Sequence, residues 1–253
     1  MDPKLPTRPA LAAWAALPPL WGRYARESRR PLAALVFLLP WVVSYELWAF
    51  GAARGPGAGR ELVAQSVIHG LLSWFGLVGF WVPPAVLVAA LLVWHVRLRH
   101  PWRVTGWALP IMVIESAALA VPLLLVAGLF SPPRLPDGGG LRVRDQLLSA
   151  LGAGVYEELV FRLLLVAGLI ALLARLRWLQ RRPARWAAVA LAAVIFAACH
   201  FTPIGHETPD GRLFVFRVAA GGYLGAVFLR RGLGVTAGAH AVYNVAVAWL
   251  GAG

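Results

Sequence analysis

The sequence is poor in the residues that stabilise secreted proteins and in the charges that cover soluble ones. Its single cysteine, Cys199, excludes an intrachain disulfide. Only 14% of the 253 residues are charged, whereas 60% are hydrophobic and the mean hydropathy is +0.70, far above the apolar share of a soluble domain. Residues 1–30 lack a short apolar core followed by a small-residue cleavage site, so we expect no cleaved signal peptide. These absences favour a multi-pass membrane protein.

Acidic residues are also scarce, since 24 basic residues face 11 acidic ones and the formal net charge is +13. The basic residues cluster at the ends of apolar runs, which is typical of membrane topology and not of a nucleic-acid-binding surface. We therefore predict no nucleic-acid partner. Because loops rich in arginine alternate with loops poor in it, the positive-inside rule places the N-terminus in the cytoplasm and the C-terminus outside.

Seven apolar runs approach the roughly 20 residues that a bilayer requires. They lie at about 31–50, 74–96, 104–130, 147–173, 186–203, 213–229 and 234–251. The predicted fold is an all-α polytopic membrane protein with about seven transmembrane helices, in a cell membrane if the chain is bacterial. We divide it into a cytoplasmic or interfacial segment (1–30), a three-helix membrane unit (31–140) and a four-helix core (141–253), with an irregular connection at 131–140.

Three full charges interrupt the fourth apolar run, at Glu157, Glu158 and Arg162. Each charge costs roughly 2.5 to 3.5 kcal/mol at the centre of a bilayer, so we expect them to have a purpose. Glu158 and Arg162 stand four residues apart on a helix, where the acid can pair with the base. Glu157 is rotated by about 100° from that pair, which leaves its carboxylate available for chemistry. The alternative is a buried polar lock between helices.

Further polar side chains occur late in the chain, where His200 follows Phe196 by four residues and Asn244 follows His240 by four. Residues four apart share a helix face, so His240 and Asn244 can direct two donors at one oxygen. Each histidine alone is more often a packing element. Together with Glu157 they form a carboxylate, two imidazoles and an amide on three helices, which is what hydrolysis by water requires: a base, a group that orients the water and donors for the oxyanion.

These motifs, in this order, resemble the CPBP family of intramembrane proteases, which includes CAAX prenyl endopeptidases and bacterial relatives linked to bacteriocin processing. The resemblance covers about residues 145–251. It rests on three motifs without a substitution: Glu157-Glu158-x-x-x-Arg162, Phe196-x-x-x-His200 and His240-x-x-x-Asn244.

The resemblance implies a catalytic core in which Glu157 is the general base that activates water and His200 holds and polarises that water. His240 and Asn244 would stabilise the oxyanion, and we expect a neutral His240 so that no further charge is buried. The supporting residues would be Glu158, Arg162 and Phe196, of which Phe196 would only pack. The implied substrate is a membrane-associated peptide or protein, and no cofactor is implied. The sequence favours no oligomeric state.

Three alternatives remain open at this stage. His200, His240 and a carboxylate can hold zinc in a metalloprotease; His206 and Glu207, in the next loop, lack a third ligand in register. Intramembrane acids and histidines also build proton relays in carriers, although no repeated halves are visible. A non-catalytic immunity or scaffolding protein is the third alternative.

Two other intramembrane carboxylates, Glu46 and Glu115, lie outside the three motifs. We expect them to pair with Arg217 or with nearby backbone groups and to have a structural role.

Overall fold

The computed structural model describes residues 19–52, 62–74, 76, 79–130, 143–176, 181–202, 204–205 and 208–250. Helices make up the regular structure of these residues, and no strand is present among them, as predicted for an all-α protein. The connection predicted at 131–140, the first 18 residues of the N-terminal segment, and His206 and Glu207 lie outside the described residues.

The described residues form ten α-helices and one π-helical segment. They are α1 (Pro19–Glu27), α2 (Pro31–Ala52), α3 (Val63–Ser73), α4 (Val82–Arg97), α5 (Ala108–Phe130), α6 (Val143–Glu158), π1 (Leu159–Val166), α7 (Ala167–Leu173), α8 (Arg181–Ala198), α9 (Gly211–Arg231) and α10 (Leu233–Leu250). Four of the described helices, α2, α5, α9 and α10, are long and apolar enough to cross a membrane. The elements α6, π1 and α7 follow one another without a break and occupy the fourth predicted run.

Two of the seven predicted runs differ from the helices found there. The second run was predicted to begin at residue 74, but α4 begins only at Val82 and has 16 residues, a length of about 24 Å. Gly76 and Gly79 have positive φ angles of 72° and 138°, which no right-handed helix contains, so the chain turns before α4. The separate helix α3 precedes this turn and was not predicted.

The fifth run was predicted to continue to residue 203, but α8 ends at Ala198. The amides of His200 and Phe201 donate to carbonyl oxygens three residues earlier, at 3.3 and 3.2 Å, so the last turn tightens. Pro203 follows in the sequence, and a proline disfavours the helical conformation of the residue before it. His200 therefore lies in a turn beyond the helix and not inside it.

Helix α10 lies at the centre of the bundle, packed mainly against α6 and α5. In the apolar stretch of α10, 56% of the residues are buried, compared with 22% in that of α5. The main hydrophobic core joins residues from both sides of residue 140, including Leu38, Leu91, Val155 and Ala237. The N-terminal helices therefore support the same core as the C-terminal ones, and the predicted division into units stays a prediction.

The two carboxylates outside the motifs have structural contacts, but with partners other than those expected. Glu115 accepts two bonds from the Arg231 guanidinium, at 2.5 and 2.7 Å, and one from the Tyr24 hydroxyl at 2.5 Å. Burial and the neighbouring Glu115 raise the pKa of Tyr24, so this hydroxyl keeps its proton and donates. Glu46 accepts a hydrogen bond from the hydroxyl of Tyr156.

Candidate active site

The predicted pair of Glu158 and Arg162 is formed in the core of the bundle. Arg162 Nε lies 3.1 Å from Glu158 Oε2, and the two residues are 2% and 0% exposed. The segment π1 begins immediately after Glu158, and π-helical turns occur frequently at functional sites. The Arg162 guanidinium continues across the bundle, because its Nη2 donates to the carbonyl oxygen of Gly221 on α9 at 3.4 Å.

Glu158 also connects this pair to α10, because its Oε1 lies 2.8 Å from His240 Nδ1. Glu158 pairs with the guanidinium of Arg162 as a carboxylate, and a carboxylate can only accept. His240 Nδ1 therefore carries a proton and donates it to Glu158. In a neutral ring the other nitrogen, Nε2, then has a lone pair. A neutral His240 would donate to an oxyanion only with its proton on Nε2 instead, and this role stays a prediction.

His200 is oriented by its own backbone surroundings. Its Nδ1 lies 2.7 Å from the carbonyl oxygen of Phe196 and donates to it, since a carbonyl can only accept. The chain after α8 folds back onto His200, and a Cβ atom at Gly205 would collide with the carbonyl oxygen of His200. Glycine is therefore required at this close approach. The loop and the Phe196 bond leave His200 Nε2 as the nitrogen that faces the site.

Glu157 lies between the two imidazoles. Its Oε2 is 3.7 Å from His200 Nε2 and 3.8 Å from His240 Nε2. All three residues are less than 10% exposed. These separations exceed direct hydrogen bonds, and they are short enough that one water molecule beside the three atoms would lie within hydrogen-bond distance of all of them. Side chains from α6, from the turn after α8 and from α10 thus meet at one point.

The side-chain amide of Asn244 makes its hydrogen bond outside this cluster. Its Nδ2 lies 3.4 Å from the carbonyl oxygen of Ala150, a long hydrogen bond across the interface of α6 and α10. Ala150 precedes Glu157 by seven residues, or about 10 Å along a helix. The predicted convergence of four side chains is thus present for Glu157, His200 and His240, whereas the amide of Asn244 is turned towards Ala150.

The register between α6 and α10 depends on a close approach at Gly154. A Cβ atom at this position would stand 2.6 Å from the Cα atom of Ala241. The two helices run antiparallel, so that Glu158 is level with His240 and Ala150 is level with Asn244. Gly154 therefore brings the backbones close enough for the Glu158 carboxylate to reach His240.

Phe196 has more contacts than the single packing role assigned to it. Its ring meets the rings of His200 and Phe161 edge-on, with centroids 4.6 and 5.1 Å apart. The Arg162 guanidinium lies 4.5 Å above the centre of the same ring, which is a cation–π geometry. Phe196 packs against the site while its carbonyl oxygen orients His200.

Arg217 was expected to pair with Glu46 or Glu115, but it lies near the candidate site. Arg217 on α9 lies within electrostatic range of Glu157 and of Tyr243. Its position inside an apolar run was the visible signal, but local spacing does not show which of four intramembrane carboxylates such an arginine faces. In the part of the chain that the structure describes, no group of three or more His, Cys, Asp or Glu side chains is arranged to hold a metal ion.

The comparisons with known proteins identify the same part of the chain. A family model described as Type II CAAX prenyl endopeptidase Rce1-like matches residues 142–246. This range begins at α6, ends in α10 and contains every residue of the three motifs. Neither the comparison with curated proteins nor the comparison with solved structures gives a match.

Proposed function

We propose that the chain is a member of the type II CAAX prenyl endopeptidase Rce1-like family of intramembrane proteases, whose model matches residues 142–246, and that it cleaves a membrane-associated peptide or protein with water activated by Glu157. Membership of a protease family favours this function over a carrier or a non-catalytic immunity protein. The matched family and the four long apolar helices both support an integral membrane protease of the CAAX type.

The observation that carries the proposal is the gap at Glu157. Its Oε2 faces two imidazole nitrogens at 3.7 and 3.8 Å, a spacing that suits one bridging water and no direct bond. A carboxylate that served only to lock helices together would close this gap with a direct contact, as Glu158 does with His240 on α10 at 2.8 Å.

The proton positions give the first step. His200 donates from Nδ1 to Phe196, so Nε2 of the neutral ring accepts. A water in the gap can donate one hydrogen to Glu157 Oε2 and the other to His200 Nε2, which points an oxygen lone pair away towards a substrate carbonyl carbon. Glu157 takes one proton as this oxygen attacks, and later passes it to the nitrogen of the departing amine. One water is consumed for each peptide bond broken.

The oxyanion requires donors, and two residues on α10 are available. The Nδ1–H group of His240 donates to Glu158, so Nε2 can donate as well only when the ring is an imidazolium. The Glu158 carboxylate would offset the charge of that imidazolium. Asn244 has two amide hydrogens and uses one on Ala150 in a bond of 3.4 Å. Its second hydrogen, or a turn of the amide away from Ala150, would supply the other donor. Removing one such donor typically costs on the order of 10²–10³ in rate.

The proposal is tested by comparing protein termini in membranes from cells that carry the native chain and from cells that carry Glu157→Ala. We expect peptide termini that are present only with the native chain. An identical set of termini in the two membranes would contradict cleavage by Glu157.

Metal dependence needs a separate experiment, because the absence of a cofactor is a prediction. The purified protein is treated with a chelator, and cleavage of one of these peptides is measured before and after zinc is added back. We expect cleavage to persist in the chelator. Loss of cleavage that zinc restores would instead assign His200, His240 and a carboxylate to a metal centre.

A further inference from the structure

A basic cavity lies at one end of the bundle, away from the candidate active site. It has a volume of about 290 Å³ and is lined by Arg23, Arg26, Glu27, Arg30, Thr105 and Trp107. The wall is formed by α1, the turn that follows it and the loop that leads into α5. Three arginines and one glutamate leave an excess of two positive charges around this cavity, which favours an anionic ligand.

The spacing of the arginines brings them together. Arg23, Arg26 and Arg30 follow one another at intervals of three and four residues, so they project from the same side of α1 and its turn. Like charges at this spacing repel one another, and a bound anion would relieve the repulsion. Glu27 offsets one of the three positive charges, because its carboxylate is 2.6 Å from Arg30; it also accepts the amide of Thr105 at 3.2 Å.

The cavity wall is held firmly on the bundle. Tyr24, which is fully buried, donates to Glu115 at 2.5 Å and stacks on Trp21 with ring centroids 5.1 Å apart. The guanidinium of Arg231 lies 5.2 Å from the centre of the Tyr24 ring. Because α1 is fixed in this way, the backbone that carries its arginines is already in place before a ligand binds.

The cavity lies where two candidate membrane spans begin. Arg30 immediately precedes the span that starts at Pro31, and Trp107 immediately precedes the span that starts at Ala108. Trp21 and Trp107 are 43% and 42% exposed, which suits the aromatic belt at the boundary of a bilayer. A ligand in the cavity would therefore lie at the depth of lipid headgroups.

A second observation shows that this end of the molecule is electropositive beyond the cavity. Burial, together with the nearby charges of Arg231 and Arg185, lowers the pKa of Arg29, which adjoins Arg30 in the turn after α1. Guanidinium groups bind phosphate oxygens through two parallel hydrogen bonds, so a phosphate is the anion that this lining suits best.

We propose that the cavity between α1 and the loop before α5 binds the phosphate of an anionic phospholipid headgroup. The lipid tails would lie along the apolar surfaces of α2 and α5, and the phosphate would contact Arg23, Arg26 and Arg30. The site would tie α1 to anionic membranes independently of proteolysis.

The test uses the full chain in vesicles of phosphatidylcholine with increasing phosphatidylglycerol, and native mass spectrometry counts the retained phosphatidylglycerol. The variant is Arg23→Gln with Arg26→Gln. The matched control is Arg97→Gln with Arg99→Gln, two exposed arginines at the same end that do not line the cavity. We expect affinity for phosphatidylglycerol to fall on the order of 10- to 30-fold in the first variant and less than threefold in the control.

Two results would overturn the proposal, and one measurement guards against misfolding. Equal losses in both variants would mean general attraction to a positive surface, and a native chain that retains no phosphatidylglycerol would exclude the site. Competition by inorganic phosphate without any preference for phosphatidylglycerol would assign the cavity to a soluble anion and also overturn the lipid assignment. Thermal unfolding in pure phosphatidylcholine should be unchanged in both variants, which shows that any loss arises from binding.

Discussion

Glu115 and Glu157 are both carboxylates inside apolar helices, yet their neighbours meet them at different distances. Glu115 accepts two bonds from Arg231 and one from Tyr24, all between 2.5 and 2.7 Å. Glu157 has imidazole nitrogens at 3.7 and 3.8 Å. The first carboxylate is saturated by direct contacts and joins helices, whereas the second keeps room for a water. Composition does not distinguish the two residues, but their coordination does.

The strongest test of this comparison is Glu157→Gln. A glutamine keeps the shape of the side chain but cannot take a proton from water, so we expect the cleavage rate to fall about 10²–10⁴-fold. Because the contacts of Glu157 are longer than direct hydrogen bonds, its thermal unfolding temperature should change little. Both quantities are measured on purified protein in vesicles, with a peptide found in the comparison of membrane termini. A variant that keeps native activity would show that Glu157 is not the base.

The next effect in size is expected for Asn244→Ala, which separates two roles of one amide. If Asn244 is an oxyanion donor, its removal should lower the cleavage rate on the order of 10²–10³-fold, mostly through a loss in kcat. If its bond to Ala150 is its whole contribution, the rate would stay within about twofold. The single long bond of 3.4 Å predicts a small change in stability in either case. Kinetics with the same peptide, alongside thermal unfolding, distinguish these outcomes.

A smaller effect on the rate is expected for Gly154→Ala, which acts through helix packing. The added methyl group would stand 2.6 Å from the backbone of Ala241, so α6 and α10 must separate. Such overpacking typically costs about 1–3 kcal/mol, and the bond between Glu158 and His240 would lengthen. We expect a lower unfolding temperature and a several-fold loss of activity.

The control for this variant is Gly168→Ala in α7, where the space around an added Cβ atom is open to at least 4 Å. This substitution should leave activity unchanged and stabilise the helix by up to about 1 kcal/mol. If both variants behave alike, the close approach at Gly154 has no special role.

The spacing of residues in the sequence was sufficient to predict some features of the site but not others. The pairing of Glu158 with Arg162 follows from helical periodicity and persists although the chain enters π1 between them. The end of α8 before His200 was missed because the sequence remains apolar across it, and only the tightened backbone bonds and the return of Gly205 show the turn.

Contacts between residues far apart in the chain could not be predicted from spacing either. Tyr24 and Glu115 are 91 residues apart in the chain, and Arg231 is 116 residues from Glu115. No periodicity connects such residues, because their contact arises from the packing of α1, α5 and α9. The same reason explains why Asn244 was expected at the water and is found on Ala150: helical spacing places two residues on one face but does not determine what each of them meets.

The smallest effect on catalysis, with a large effect on stability, is expected for Glu115→Gln. Removing Glu115 leaves the guanidinium of Arg231, in a part-buried pair, without its counter-charge; the cost is at most the roughly 3–5 kcal/mol typical of a fully buried pair. The unfolding temperature should therefore fall clearly, while the cleavage rate per folded molecule should stay close to native, because Glu115 contacts none of the motif residues. The control is Arg144→Gln, which breaks an exposed contact of 3.4 Å with Asp145 and should change stability by less than about 1 kcal/mol. A rate loss in Glu115→Gln as large as that in Glu157→Gln, at equal amounts of folded protein, would remove the distinction between a carboxylate that joins helices and one that holds water.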